Sequence, residues 1–244
     1  MISGASSGLG AHFAQLLASE GARVVLAARR LDRAQILAER IEAEGGIALP
    51  VAMDVCDERS VQAAFGCAEK AFGTVNTVIA NAGVSAPGRS TEVSVAAMRQ
   101  VLETNVLGTM LTAREGARRM IAAGSGESGS GRIVLIGSIT AEMTGQGESI
   151  YGASKAAVAH LGRNLAREWI RVGVNVNVVQ PGYIQTELAG DWFGSADGQK
   201  QIAGFNRRRL QPINSLDEPL LYLCSDASRH TSGGIFTIDD GQAL

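Results

Sequence analysis

Sulfur, imidazole and proline are scarce in this chain, and so is net charge. The three cysteines, Cys56, Cys67 and Cys224, are odd in number and scattered. They suit neither a disulfide framework nor a zinc site, and read as reduced, mostly buried thiols of a cytoplasmic protein. His12, His160 and His230 lie far apart with no partner pattern for zinc, so no metal site is expected. Five prolines against 30 glycines suit a globular α/β protein with many tight turns. A net charge of −2 gives no electrostatic case for nucleic acid or an anionic membrane. No apolar run approaches the roughly 18 residues of a membrane span. No basic segment followed by an apolar one marks a signal peptide at the N-terminus.

What is present is alternation. An amphipathic stretch from His12 to Glu20 precedes an apolar run, Arg23–Ala28. Helical spacing from Asp32 to Glu44, a strand over Ile47–Met53, a helix over Glu58–Phe72 and a strand over Thr77–Ala80 follow. The spacing then predicts one long helical region over 95–123, a flexible Gly/Ser stretch over 124–131, a strand ending at Gly137 and a helix from Tyr151 to Arg171. A strand over Val174–Val179, a helix over Ser215–Cys224 and a last strand over Ile235–Ile238 complete the pattern. Strands alternating with helices predict a doubly wound parallel sheet with helices on both faces. No linker divides the 244 residues, which are expected to form one Rossmann-like domain.

Two stretches carry chemistry. Glycines at Gly4, Gly8 and Gly10 lie where a strand would hand over to a helix, so the backbone can turn sharply and approach a pyrophosphate at the helix N-terminus. The spacing is not the usual G-x-G-x-x-G fingerprint, and such turns are often only turns. Only Met1 and Ile2 precede Ser3, where a central strand of about 5–6 residues belongs. The expectation is a native start several residues upstream, with an apolar β-run; a genuine start at Met1 would fray the sheet's centre. The second stretch runs from Ser138 to Lys155. Tyr151 and Lys155, four apart, share one face of a helix. A nearby ammonium favours the phenolate, which would bring Tyr151 down from its ordinary value of about 10 toward working pH. Ser138 could supply a hydroxyl to the same spot.

The Gly loop at 4–10, Asn81-Ala-Gly83, Asn105, Ser138, Tyr151, Lys155 and Pro181-Gly182, in this order, resemble the short-chain dehydrogenase/reductase family, and in particular its 3-oxoacyl-(acyl carrier protein) reductase-like members. The resemblance covers the chain apart from the missing first strand. It implies a Rossmann-type fold, a homotetramer (or homodimer), and interconversion of carbonyl and alcohol with NADP or NAD. By this resemblance Tyr151 is the general acid/base, Lys155 tunes it and binds the nicotinamide ribose, and Ser138 holds the substrate oxygen. Asn105 would anchor a proton-relaying water, since a buried mid-helix Asn is costly unless satisfied. Gly4, Ser6, Ser7, Gly8, Leu9 and Gly10 would line the diphosphate and adenosine ribose, and Asp54 and Val55 the adenine. Asn81, Ala82 and Gly83 would form the floor beside it, with Pro181, Gly182, Ile184 and Thr186 facing the nicotinamide.

NAD-using relatives carry an acidic residue after the second strand; here Arg29 and Arg30 stand there. An Arg grips a phosphate bidentately, so the chain looks NADP-dependent with Arg29 the clamp and Ser6 assisting. The segment over 186–210 would cover the substrate, with Leu188, Trp192, Phe193, Ile202 and Phe205 over an apolar pocket and Met143, Gln146 and Tyr183 as further lining. Arg207, Arg208 and Arg209 read as an anion-binding rim or, more simply, as solvated or salt-bridged surface. The expected activity is carbonyl reduction with NADP on a small-molecule ketone. The rivals are an NAD-linked alcohol or sugar dehydrogenase of the same family and a non-catalytic nucleotide-binding module.

Overall fold

A computed structural model describes residues 1–244. Its strands are β1 (Ile2–Ser3), β2 (Arg23–Ala28), β3 (Ile47–Ala52), β4 (Thr77–Ala80), β5 (Gly131–Ile136), β6 (Val174–Pro181) and β7 (Ile235–Ile238). The helices are α1 (Gly8–Ser19), α2 (Leu31–Ala43), α3 (Glu58–Phe72), α4 (Val95–Leu102), α5 (Thr109–Ala122), a single turn α6 (Ser125–Ser128), α7 (Ser149–Trp169), α8 (Ala196–Gly204) and α9 (Asp217–Cys224). All seven strands are parallel, in the order β3-β2-β1-β4-β5-β6-β7.

Period-two alternation explains how one sheet fills two cores. Val25, Ala27, Ile133, Leu135, Val176 and Val178 point to one face, where Phe65 of α3, Met120 of α5 and Trp169 of α7 cover them. Val24, Leu26, Ala28, Val134, Ile136 and Val179 point to the other, under Phe13 of α1, Ile41 of α2 and Leu220 of α9. Strands buried on both faces read as largely apolar runs, and β5, buried at every position, is apolar from Ile133 to Ile136.

The central strand is short but in place. Ile2 pairs with Leu26 on one side and Ile79 on the other, and the Met1 amino group donates to the Thr77 carbonyl oxygen at 2.7 Å. Met1, Ile2 and Ser3 are all buried, and β1 pairs with two residues of β2 and one of β4. The helical region expected over 95–123 is interrupted: Glu103–Gly108 is a π-helical turn between α4 and α5. Such turns cost hydrogen-bond geometry and gather at functional sites. The Gly/Ser stretch before β5 contains α6. No helix is long and apolar enough to cross a membrane.

Strand order reverses between β1 and β4. The loops after β1, β4, β5 and β6 therefore open on one crevice at the carboxyl edge of the sheet, where doubly wound proteins hold ligands.

Candidate active site

The loop after β1 is locked from below. Asn81, just past β4, donates its side-chain amide to the Ser3 carbonyl at 3.0 Å, and Ser3 Oγ accepts the backbone N–H groups of Asn81 and Ala82 at 3.0 and 3.1 Å. Gly10 admits this contact. A Cβ there would stand 2.4 Å from the Gly4 carbonyl oxygen and 2.6 Å from Asn81 Nδ2. Above the loop, α1 begins with neither a side-chain cap from Ser7 nor an acidic residue in its first turn. An uncapped helix N-terminus attracts an anion.

The cationic side of that cradle comes from Arg30. Its guanidinium donates to Ser6 Oγ at 3.2 Å and Ser7 Oγ at 2.8 Å, and pairs with Glu187. Arg29, expected as the clamp, is exposed and makes no ion pair; its charge is felt by Cys56, on the side of Asp54 and Val55. Asp54 Oδ1 accepts the Cys56 N–H at 3.0 Å and shapes the turn after β3, while Val55 is buried. Sequence reasoning named the pair of arginines, with Arg29 as the clamp and Ser6 assisting; of the two, it is Arg30 that meets Ser6. The two guanidinia are indistinguishable until the chain's direction at the end of β2 is known.

At the opposite end of the crevice, β5 delivers Ser138 and α7 delivers Tyr151 and Lys155. Ser138 Oγ accepts from the Thr140 N–H at 3.2 Å and the Thr140 hydroxyl at 2.9 Å. Its own proton is left for the Tyr151 phenol, with which it hydrogen-bonds, or for a reacting oxygen standing in its place. Lys155 is buried, and its Nζ donates to the Ile136 carbonyl oxygen at 2.8 Å while standing 5.7 Å from the Tyr151 ring centre. A buried ammonium has three donors, and one is used here by the protein.

The charge tuning runs opposite to the expectation. Burial pushes the Tyr151 phenol up to about 12, with hydrogen bonding to Ser138 pulling down and the Glu148 carboxylate adding to the rise. Burial pulls Lys155 down to about 8. Desolvation is the largest cause for both groups, and at neutral pH Tyr151 is held as the acid.

Asn105 lies in the π-turn, fully buried. Its Oδ1 accepts the Val84 N–H at 2.8 Å, and its Nδ2 donates to the Val84 carbonyl and to Ser154 Oγ, both at 3.0 Å. The side chain thus ties the loop after Gly83 to α7.

After β6, Gly182 donates to Gln211 Oε1 at 2.8 Å, and a Cβ on it would strike Gln242 Oε1 at 2.4 Å. Pro181 and Ile184 are buried beside it, and Thr186 lies over Gly8, its Cβ 3.5 Å from where a side chain would begin. Tyr183 stacks on Phe205 at 5.5 Å and meets Phe193 edge-on at 6.0 Å. Its hydroxyl donates to Glu148 Oε2 at 2.7 Å, an acid that sequence reasoning missed. Leu188 and Trp192 are half exposed. Arg207 and Arg209 both pair with Asp240, so that basic run is salt-bridged surface. His12 pairs with Asp217 at 2.6 Å, away from the crevice.

An uncapped helix end, a glycine cradle and an arginine at one end, with a tyrosine–lysine–serine group at the other, fit a dinucleotide spanning both. Residues 1–196 match the family model for short chain dehydrogenases. The chain belongs to the short-chain dehydrogenase/reductase family. It is an NAD(P)-dependent oxidoreductase acting on alcohol or carbonyl groups. Among its relatives, cis-4-hydroxycyclohexanecarboxylate dehydrogenase of Sinomonas cyclohexanicum is 36% identical over 99% of this chain and 94% of its own. Gluconate 5-dehydrogenase from Burkholderia cenocepacia, solved with NADP and tartrate, superposes with a TM-score of 0.92 at 28% identity, covering 99% of this chain and 93% of that one. The 3-ketoacyl-(acyl-carrier-protein) reductase from Brucella melitensis, solved with NADH, gives 0.89 at 27%, covering 100% and 97%. Short-chain dehydrogenases thus take either nicotinamide on this fold.

Proposed function

We propose that this short-chain dehydrogenase is an NADP-dependent reductase that converts a small or cyclic ketone to a secondary alcohol. The observation that carries the reading is the grouping at one end of the crevice: Ser138, which accepts from the Thr140 N–H and hydroxyl and reaches the Tyr151 phenol, with the buried Lys155 ammonium 5.7 Å from the Tyr151 ring centre. Ser138 would donate to the ketone oxygen, and Tyr151 would pass its proton to that oxygen as charge develops. Lys155 would use its remaining donors to stabilise the resulting phenolate and to hold the cofactor ribose. Bound along the crevice, the nicotinamide supplies the hydride. Gly4, Ser6, Gly8, Leu9 and Gly10 would hold the diphosphate, Asp54 and Val55 the adenine, Asn81, Ala82 and Gly83 the floor beside it, and Ile184 and Thr186 the nicotinamide.

Support for NADP comes from Arg29 and Arg30 at the end of β2, where no carboxylate of that segment would repel a 2′-phosphate. Support for a small or cyclic ketone comes from the aromatic wall of Tyr183, Phe193 and Phe205 and from the cyclohexane-ring substrate that the Sinomonas relative's name states. A homotetramer or homodimer is supported by exposed Leu102 and Leu107, which share an apolar face with Val106, Met110 and Leu161 along α4, α5 and α7. NADPH oxidation measured against linear, cyclic and thioester ketones tests the activity. A preference for NADH, or turnover of none of these ketones, would overturn the reading.

A further inference from the structure

Glu187 opens the segment that covers the substrate, yet its carboxylate reaches back to the adenosine end of the crevice. Oε1 accepts from Arg30 Nη1 at 3.2 Å and from Arg33 Nη1 at 2.5 Å, and Oε2 accepts from Arg30 Nη2 at 2.8 Å. The same Arg30 guanidinium donates to the Ser6 and Ser7 hydroxyls. Two arginines on one carboxylate, with two hydroxyls beside the shared guanidinium, make an anion site already carrying an anion, and that anion belongs to the chain. Thr186, next to Glu187, lies over Gly8, so the ion pairs fasten the start of the covering segment across the glycine loop. All three charged side chains keep close to half their surface in solvent. Exposed pairs of this kind exchange partners at small cost.

We infer that Glu187 is an internal counter-anion that competes with the cofactor's 2′-phosphate for Arg30, and so latches the covering segment to the cofactor's identity. The inference rests on the NADP reading. A 2′-phosphate entering beside Ser6 and Ser7 takes Arg30 from Glu187 and loosens the segment. A ribose 2′-hydroxyl carries no charge and leaves the latch closed. Glu187 therefore moderates a preference for the phosphorylated cofactor that Arg29 and Arg30 alone would make steeper.

Adenosine 2′,5′-bisphosphate and 5′-AMP probe this end without touching the catalytic group, and calorimetry reads their binding without turnover. In Glu187→Gln the carboxylate is gone and both arginines are free. Affinity for the bisphosphate is expected to rise about three- to tenfold, with 5′-AMP changing less than about twofold. Glu187→Asp keeps the charge and is expected to stay within about twofold of wild type for both ligands. An unchanged ratio of the two affinities in Glu187→Gln overturns the inference, as does an equal rise in Glu187→Asp. The NADP reading fails separately, if the wild-type chain binds the bisphosphate no better than 5′-AMP. The ratio between variant and wild type still reports the latch in that case.

Discussion

The two ends of the crevice are held by different physics. At the nicotinamide end, Asn105, Lys155 and Ser138 are 0%, 5% and 8% exposed, and each is fixed by hydrogen bonds to backbone or to a buried hydroxyl. At the adenosine end, Arg30, Arg33 and Glu187 are 43%, 47% and 47% exposed in their side chains and hold one another by charge. A buried polar group left unpaired costs kilocalories, whereas an exposed ion pair contributes about 1 kcal/mol or less. On the proposed reading, reaction type is built into the part that resists change, and cofactor selectivity into contacts that single substitutions retune by small factors.

The sharpest way to break this contrast is at Tyr151. Tyr151→Phe keeps the ring and removes the proton, so kcat should fall by about 10²–10⁴-fold while cofactor affinity, read by quenching of protein fluorescence, stays within about twofold. Ketone reduction surviving in that variant would remove the proposed acid. Asn105→Ala comes next and acts on stability. It strands the Val84 N–H, the Val84 carbonyl and Ser154 in a buried turn, at an expected cost of about 3 kcal/mol. For a chain of this length that lowers Tm by about 6–12 °C in a thermal melt. A loss of activity without a fall in Tm would instead favour the water-anchoring role.

The pH response separates the two directions of the reaction. Reduction uses Tyr151 as the phenol and Lys155 as the ammonium. With Lys155 pushed down to about 8 and Tyr151 up to about 12, both are in the required form below about 8. The reduction rate should be level there and fall by about tenfold per pH unit as Lys155 loses its proton. Alcohol oxidation needs the Tyr151 proton gone and should rise toward alkaline pH. A reduction rate that climbs between pH 8 and about 10 would contradict the assigned roles.

Most of the fold was legible because buried parallel strands read as short, largely apolar runs: Arg23–Ala28, Thr77–Ala80 and Ile235–Ile238 were bounded to the residue. The π-turn at Glu103–Gly108 was not, since no residue type marks a shift from four-residue to five-residue hydrogen bonding. At the site, order and spacing placed Ser138, Tyr151 and Lys155. They did not give the sign of the Tyr151 shift, which depends on how much water burial removes. Nor could spacing show that Glu187 meets Arg30, 157 positions away in the chain. Ion pairs that close a crevice carry no periodicity.

Glu148 offers the mildest test, because it lies where the two kinds of contact meet. It stands three residues before Tyr151, raises that phenol, and accepts the Tyr183 hydroxyl inside the aromatic wall. Glu148→Gln keeps an oxygen to accept from Tyr183 and removes only the charge. Two effects follow with definite signs. Tyr151 titrates lower, so alcohol oxidation at a fixed pH near neutrality speeds up by about two- to fivefold. A ketone bearing a carboxylate no longer meets a like charge, so its KM falls relative to that of its uncharged amide by a similar factor. Paired kinetics on 4-oxocyclohexanecarboxylate and the corresponding amide, together with oxidation of the matching alcohols, read both effects. Equal changes for the two ketones would place Glu148 outside the substrate's reach. A change for the acid alone, without faster oxidation, would place it beside the substrate but too far from Tyr151 to tune it.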